Sequence, residues 1–300
     1  MKKLILSLVA LFLATGLAAQ SADSVTWERK GSLGFNFANV GLSNWAGGGE
    51  NSISLGTVYN TAFLRKSANS TWKSSIDFAL GGAKVGEQDF RKTDDQIILV
   101  SQYSKGINEH WGWGFGGILR TQLLVGNVFS PDPNRPGEEI STKISNFMAP
   151  GYLTINLGFD YSAGDAFSVS MSPAAGKFTF VLDDDLSNQV GGAYGVDMGD
   201  QVRAEFGSNI LATLNVKLME NISFQSNLNF FTAYESFGNV DTNWETLLVM
   251  KVNEWFNTTF GTQLIYDDDI KIDQGDGTAE RAIQFKHVLN IGVNFSLFKN

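Results

Sequence analysis

The 300-residue chain has no cysteine, which excludes a disulfide scaffold, a thiolate metal site, a cysteine nucleophile and a lipid-anchored lipoprotein. Only two histidines are present, which argues against a histidine-rich metal centre. Basic residues are also few: 22 Lys and Arg stand against 31 Asp and Glu, for a net charge of −9. Binding to nucleic acid requires a basic face that neutralises phosphates, so no nucleic-acid partner is expected.

Long hydrophobic runs are missing after the first twenty residues, so the sequence predicts no transmembrane helix. Hydrophobic residues nevertheless make up 43% of the chain, and aromatic residues 12%, including 23 phenylalanines. This composition is too aromatic for a disordered chain and favours an all-β protein.

The first nineteen residues have the pattern of a secretory signal peptide. Lys2 and Lys3 precede an apolar stretch from Leu4 to Leu13, and small residues follow it. We expect cleavage just before Gln20, which leaves a net charge of −11 because two lysines and no acids are removed. The alternative is an N-terminal anchor helix, although the stretch is shorter than the ~20 residues that a span requires.

The rest of the sequence alternates between apolar and polar residues with a period of two, which is typical of strands with one apolar face. Most of these segments run 9 to 16 residues, whereas a strand of a soluble domain averages ~5–6 and a tilted transmembrane strand needs ~9–11. Twelve segments are predicted, beginning near Gly31, Asn51, Thr71, Asp94, Trp111, Met148, Phe167, Gln201, Asn221, Thr242, Phe256 and Arg281.

The connections between the segments alternate in length. The odd-numbered connections are mostly long and acidic, and the even-numbered ones are short. Outer-membrane β-barrels show this asymmetry, with long extracellular loops and short periplasmic turns. Aromatic residues near the segment ends fit an interfacial girdle; the alternative is that they form the core of a large soluble β domain.

Several motifs follow one another in the order seen in a known family. The mature chain resembles a family of Bacteroidota outer-membrane proteins catalogued as domain of unknown function 3078. The resemblance implies a location and a barrel fold but no activity. The motifs are Leu42–Ser52, Arg91–Asp95, Thr121–Gln122, Ser145–Phe147 before Ala149–Pro150, Gly176–Lys177, Asn243–Glu245 and Tyr266–Asp269.

On a twelve-strand barrel five of these motifs converge at the extracellular rim: the glycine-rich first motif, Arg91–Asp95, Ser145–Phe147 with its proline, Asn243–Glu245 and Tyr266–Asp269. Because binding sites often lie on loops carried by a rigid scaffold, we predict a binding surface there. The glycine-rich loop would fold over the lumen with Trp45 as its anchor, unless it is an ordinary hairpin. The predicted rim residues are Asn44, Trp45, Glu50, Asn51, Asp94, Asp95, Asn146, Trp244, Glu245, Asp267 and Asp268.

Three carboxylate clusters share the predicted rim, at Asp94–Asp95, Asp183–Asp185 and Asp267–Asp269. Hard cations bind several oxygen ligands at once, so a Ca²⁺ site is one interpretation, but no EF-hand spacing is present. The alternative is a set of solvated acidic loops that interact with lipopolysaccharide through diffuse divalent ions. No other cofactor is expected.

The predicted inner face carries charges of both signs. Interior charges persist when they are paired or solvated, so they would either line a narrow wet channel or form salt bridges that close it. A twelve-strand barrel lies between the filled eight-strand and the open sixteen-strand cases. The predicted lumen charges are Lys73, Asp77, Arg120, Asp160, Arg203, Glu205, Lys217, Glu245, Lys251 and Lys286.

Catalysis by an outer-membrane lipase mechanism is a remote alternative. His287 is predicted to point outward, but no serine lies two residues away, and a triad requires nucleophile and base within ~2.6–3.2 Å. His110 falls in a predicted periplasmic turn beside Trp111. We therefore assign no catalytic residue.

The sequence thus predicts an all-β protein: residues 1–19 are a signal peptide and residues 20–300 form a single transmembrane antiparallel barrel of about twelve strands in the outer membrane. Two functions remain open. One is a loop-capped structural or accessory barrel that binds an outer-membrane protein, outer-membrane lipid or lipopolysaccharide at its rim. The other is a small-solute channel.

Overall fold

A computed structural model describes residues 25–43, 50–164, 166–270, 272–273 and 278–298. Twelve long strands form one closed antiparallel barrel in the order β1-β16-β13-β12-β11-β10-β9-β8-β5-β4-β3-β2, and pairing of β1 with β16 closes it. The barrel strands are β1 (Thr26–Val40), β2 (Ser52–Ser67), β3 (Ser70–Val85), β4 (Arg91–Gly106), β5 (Trp111–Thr121), β8 (Gly151–Ala163), β9 (Phe167–Phe180), β10 (Val202–Met219), β11 (Ile222–Ala233), β12 (Asp241–Lys251), β13 (Phe256–Tyr266) and β16 (Gln284–Ser296).

These strands confirm all twelve predicted segments, and β5, β9 and β13 begin at the predicted residue. The largest difference is in β1, which begins at Thr26 rather than near Gly31. The polar run Glu28–Lys30 hides the alternation, but the strand continues through it in register with β2. The Glu28 carboxylate there lies 3.0 Å from Lys66 Nζ on the neighbouring strand.

The long connections contain short elements that the sequence did not predict. A hairpin of β6 (Gly126–Pro131) and β7 (Glu139–Ser145) follows β5, a one-turn helix α1 (Asp184–Ser187) follows β9, and β14 (Ile272–Asp273) pairs with β15 (Ala279–Glu280). The Asp183 side chain caps α1 by accepting from the Leu186 amide. These elements are too short to produce a periodic pattern. No helix in the described part of the chain is long and apolar enough to cross a membrane.

The inner face of the barrel is identified by contacts between opposite walls. Arg120 on β5 hydrogen-bonds Glu245 on β12, and these strands are five positions apart in the barrel by the shorter route. Such a contact is possible only through the lumen. Because side chains alternate between the two faces of a strand, this pair fixes the orientation of the residues registered with it.

The outer face is apolar and exposed. Phe115, Leu157, Phe285 and Leu289 are between 46% and 63% exposed. In β5 bulky residues point outward while glycines occupy the inner positions, and the inner Gly114 leaves room for the Asp160 side chain. Aromatic clusters lie near the strand ends on the outer face: Trp72 with Tyr103 and Phe115, Trp111 with Tyr161, Phe206 with Tyr234, and Trp255 with Phe256.

We call the end that carries the long connections the cap end and the other the turn end. A small hydrophobic core lies at the cap end, where Ala149, Val181, Leu186 and Val196 are at most 3% exposed. Ala193 and Tyr194 pack against it. The segments 122–150 and 181–201 therefore form a folded cap with its own core.

Candidate functional site: the cap and the lumen

A buried ammonium group lies at the centre of the cap end. Lys177 Nζ on β9 is 2.5 Å from Asp241 Oδ2 at the start of β12 and 3.1 Å from Asp267 Oδ2 after β13. Glu205 on β10 is more distant, at 3.9 Å. The Lys177 side chain is 10% exposed, so this cation links three separate parts of the wall in a nearly dry setting.

Arg203 extends this cluster to the cap. Its Nη2 atom lies 2.8 Å from Asp269 Oδ2 and 3.2 Å from Glu205 Oε1, and its Nη1 donates to the Gly195 carbonyl at 3.2 Å. Because Gly195 belongs to the segment 181–201, Arg203 ties this segment to the barrel wall. We call Lys177, Arg203, Glu205, Asp241, Asp267 and Asp269 the cap cluster.

A second ionic contact joins the two halves of the cap. Lys143 Nζ on β7 lies 2.8 Å from Asp183 Oδ1 and 2.5 Å from Asp185 Oδ2, and Asn146 Nδ2 donates to Asp183 at 2.7 Å. Burial alone would raise the pKa of Asp183, but the hydrogen bonds from Asn146 and Lys143 lower this pKa below the ordinary value for Asp. Hydrogen bonds to Asp183 and Asp185 raise the pKa of Lys143.

Tyr194 fixes the segment 181–201 against the β6–β7 hairpin. Its hydroxyl donates to the Ile144 carbonyl, and its ring packs against the cap core. Burial raises the pKa of Tyr194 to about 12. The Leu182 amide donates to the Met148 carbonyl at 3.0 Å, so backbone contacts join the same two segments.

Two further ion pairs cross the lumen. The Arg120–Glu245 pair is supported by Gln263, whose Nε2 donates to Glu245 Oε1 at 3.1 Å. Lys286 on β16 reaches Asp94 on β4, four strands away, at 2.8 Å. The sequence left paired and wet lumen charges as alternatives; at the cap end the charges are paired across the lumen.

Asp95 differs from its predicted role as an exposed rim ligand. Its side chain is 1% exposed and lies 3.0 Å from Lys92 Nζ. Its two oxygens also accept from the Leu123 and Leu124 amides at 2.9 and 2.8 Å. The carboxylate therefore anchors the chain where it leaves β5 and is not available to a ligand.

Trp244 also differs from the prediction, because it faces outward while its neighbour Glu245 faces the lumen. Its indole donates to Ser226 at 2.9 Å, and its strand partners are Leu228 and Leu264. Strand alternation separates the two adjacent residues. Trp244 therefore belongs to the outer wall rather than to a rim site.

The remaining rim residues lie at the cap end. Asn51 accepts from the Leu42 amide, and the exposed Glu50 lies beside Gly86. Asp268 accepts from the Asn239 side chain and from the Tyr266 hydroxyl. Asn44 and Trp45 lie outside the described residues, as does the predicted signal peptide.

The middle of the lumen is lined by buried and half-buried polar side chains. Asp77 accepts from Asn60 Nδ2 at 2.6 Å. Nearer the turn end, Asp160 accepts from the Ser170 hydroxyl at 2.6 Å. Asn156 and Asn209 are 3% and 1% exposed. This layer lies between the cap end and the turn end.

At the turn end the inner face is open to water. The predicted lumen residues Lys73, Lys217 and Lys251 are exposed there. The lumen is therefore wet at one end and filled with paired charges at the other.

Sequence reasoning missed Lys177, Asp241 and Asp269 as site residues, although Lys177 lies in one of the quoted motifs. The alternation of β9 is interrupted by a bulge, because both Pro173 and Ala174 lie opposite the single residue Ser208 of β10. The shift in phase concealed which face Lys177 occupies. Contact between Lys177 and Asp267, 90 positions apart, has no local signature.

The acidic groups at the cap end are already paired with cations. Oxygens of Asp241, Asp267 and Asp269 lie within 4.8 Å of one another, a spacing that a cation could use. Lys177 and Arg203 contact these same carboxylates, so salt bridges account for the cluster without Ca²⁺. The predicted Ca²⁺ site remains a prediction.

The two histidines lie outside the cap. His287 faces outward as predicted, and its ring lies 6.4 Å from that of Phe260 and 6.1 Å from that of Phe285. It pairs with Thr262 across the strands. His110 lies in a turn, and its Nδ1 atom is 3.2 Å from the Ser162 carbonyl.

Comparison with protein families bears on the motif-rich first half of the barrel. Residues 37–126 match the family described as protein of unknown function DUF3078. The match confirms the resemblance over the end of β1 and the strands β2–β5. No curated protein matches the chain.

Several solved structures of outer-membrane proteins are similar to the barrel. An outer-membrane channel from Pseudomonas putida F1 is 9% identical with a TM-score of 0.38, and the alignment covers 94% of this chain and 100% of the channel. The translocator domain of the autotransporter NalP from Neisseria meningitidis is 9% identical with a TM-score of 0.34, covering 97% and 94%. A deltaS2 mutant of the monoaromatic hydrocarbon channel TodX is 9% identical with a TM-score of 0.36, covering 92% and 90%.

Proposed function

We propose that residues 20–300 form an outer-membrane barrel that is exported by the signal peptide at residues 1–19 and closed at its extracellular end by its own loops. The apolar outer wall and the aromatic clusters near the strand ends support insertion into a bilayer. The asymmetry of the connections supports an orientation with the cap end outside the cell. In this proposal the barrel is a structural or accessory protein and not an enzyme.

The observation that carries the proposal is the cap cluster together with the cross-lumen pair Arg120–Glu245. Charges that leave water are stable in a folded protein only when partners replace the water. Lys177 and Arg203 meet carboxylates from other strands and from the segment 267–270. These contacts connect separate parts of the barrel wall across the lumen, as closure of the lumen requires.

Exposed apolar side chains on the cap support its use as a docking surface. Val190 is 97% exposed, Met198 61% and Phe147 51%, and Phe237 on the connection between β11 and β12 is 76% exposed at the same end. Apolar groups outside the membrane wall often mark an interaction site. The proposed partner is an outer-membrane protein, and the alternative is lipopolysaccharide.

Conductance in a planar bilayer tests closure. The purified barrel should be silent, whereas a variant in which residues 184–199 are replaced by a short Gly-Ser linker, and Arg120 and Lys177 by alanine, should show discrete current steps. The linker fits because the Val181 amide already donates to the Gln201 carbonyl at 2.9 Å. Heat-dependent mobility in SDS gels provides the folding control for both proteins.

A small-solute channel is the second candidate, supported by the wet inner face at the turn end. Discrete steps from the unmodified barrel would refute closure and favour this channel.

Photo-crosslinking from position 190 in intact cells tests the docking surface. An adduct of one defined mass would indicate a protein partner, and a ladder would indicate lipopolysaccharide. Position 289 on the apolar wall, where Leu289 is 62% exposed, is the matched control. Identical adducts from both positions would refute docking at the cap.

A further inference from the structure

Five lysines converge on the inner face at the turn end of the barrel. Lys30 and Lys73 lie near the starts of β1 and β3, and Lys217 and Lys251 lie near the ends of β10 and β12. Lys66 lies near the end of β2. We call these five residues the basic vestibule.

The register places the lysines of the vestibule inside the barrel. Lys251 is six residues after the inward Glu245 on the same strand, and Lys217 is twelve residues after Glu205. Lys73 is four residues before Asp77, which pairs with Ile98, the strand partner of the inward Arg120. Even spacing along a strand keeps side chains on one face.

The inward orientation of the remaining two lysines follows from the pairing of β1 and β2 with their neighbours. Lys30 pairs with Ala62, and Ala62 pairs with Ser75, which shares the face of Lys73 and Asp77. Lys66 is four residues after Ala62 on the same strand, so it also faces the lumen. All five ammonium groups therefore project into the same cavity mouth.

The vestibule is open to water, unlike the cap end. Lys30, Lys73, Lys217 and Lys251 are exposed although they face the lumen. Neutral inward residues beside them, such as Gln225, are exposed as well. The barrel is thus a cup that opens at the turn end and is closed at the cap end.

The charge of the inner wall at this end is opposite to that of the whole chain. Two inward carboxylates lie at the same end: Glu28, which is paired with Lys66, and Asp160, which accepts from Ser170. Among the inward strand residues at this end, five lysines against two carboxylates give a net charge of +3, while the exposed Glu109, Glu220 and Glu254 lie in the short turns at the same end. Within the described residues, no carboxylate lies within 4 Å of the other four lysines.

We propose that the basic vestibule binds small multivalent anions, such as organic phosphates or polycarboxylates, that enter from the turn end. Several like charges around a low-dielectric opening focus the field and concentrate ions of the opposite sign. Lysine ammonium groups on flexible stems suit phosphate and carboxylate groups as point charges. Because the cap closes the other end, the ligand leaves as it entered, and the cup acts as a binding site.

Anion binding by the vestibule does not depend on the membrane orientation. That the vestibule faces the periplasm rests on the proposed function. The cup geometry, with a single open end, likewise rests on the cap. An assay on the detergent-solubilised barrel therefore tests the vestibule without testing either of these features.

The experiment measures fluorescence anisotropy of the trisulfonated dye pyranine with the full barrel in a neutral detergent. The test variant is Lys217→Gln with Lys251→Gln. The matched control is Lys84→Gln with Lys105→Gln, which removes the same charge from exposed lysines on the outer face. Each protein is checked for folding by heat-dependent gel mobility.

The unmodified barrel should bind the dye more weakly as salt rises, and inorganic phosphate should compete. The test variant should lose roughly tenfold in affinity, since two cations facing a trivalent anion contribute additively in a wet site. The control should change by less than about twofold because its lysines lie outside the cup.

Equal affinities of the test and control variants would overturn the proposal, as would absence of dye binding by the unmodified barrel at low salt. Bilayer conductance separates this inference from the proposed function. A barrel that conducts and binds the dye refutes closure and supports the vestibule. A barrel that neither conducts nor binds the dye refutes the vestibule and leaves closure supported.

Discussion

Removal of the Lys177 ammonium should destabilise the barrel more than any single surface substitution. In Lys177→Met, the carboxylates of Glu205, Asp241 and Asp267 would face one another with side-chain exposures of 9%, 18% and 11%. Loss of one partner from a buried ion pair costs about 3–5 kcal/mol, because the remaining charge stays out of water. The Lys177 side chain is 10% exposed, so solvent screening is small.

Urea unfolding in detergent micelles, followed by tryptophan fluorescence, measures this loss as a change in the free energy of unfolding. Lys84→Met is the control, since an exposed lysine should change stability by less than about 0.5 kcal/mol. Adding Asp241→Asn and Asp267→Asn to Lys177→Met should recover at least half of the loss by removing the unpaired charges. A loss below about 1 kcal/mol in Lys177→Met would refute a dry, closed cap cluster.

Three other contacts give separate predictions. Asp95→Ala should cost about 1–3 kcal/mol in the same urea assay, because Lys92 and two backbone amides would lose their buried acceptor. Hydrogen exchange of the two amides should become faster, and unchanged exchange would contradict the anchoring role. Tyr194 should stay protonated until about pH 12, so ultraviolet titration should show no tyrosinate from it near pH 10. The free energy of unfolding should fall above pH 10, because the tyrosine ionises in the unfolded chain before it ionises in the folded protein. NMR of the Asp183 carboxyl carbon should give a titration midpoint below the ordinary pKa of Asp, so the contribution of Asp183 to stability is present above about pH 4 and lost as the pH falls further. Lys143→Met should move this midpoint upward, and no movement would refute the pairing.

The strands were predictable because the membrane-type barrel imposes a period of two over long stretches. In β10 the inward Arg203 and Glu205 and the outward Phe206 follow directly from alternation. The starts of β5, β9 and β13 could be read to the residue, since aromatic residues mark them. The hairpin β6–β7 and the helix α1 could not be found, because each lies within one long connection and has too few residues for a pattern.

The cap shows the limit of local information. The sequence grouped Asp267 and Asp268 as rim acids, yet Asp267 is 11% exposed beside Lys177, whereas Arg281 pairs with Asp268. Asp94 and Asp95 are adjacent in sequence but differ in role, since one crosses the lumen to Lys286 and the other holds backbone amides. Adjacent residues on a strand face opposite directions, so a shared motif does not imply a shared site.

The sequence by itself determined the class of fold, the number of strands and the face of the charged residues that lie within the predicted segments, but not that of Lys30 and Lys66, which the structure adds to β1 and β2. These features depend on local alternation and on the length of each segment. Only the tertiary structure decided which lumen charges meet: Arg120 pairs with Glu245 at the cap end, while Lys217 and Lys251 are exposed at the turn end. Pairing across the bore depends on the order and closure of the strands, which bring together residues 125 positions apart, and no local pattern encodes that distance.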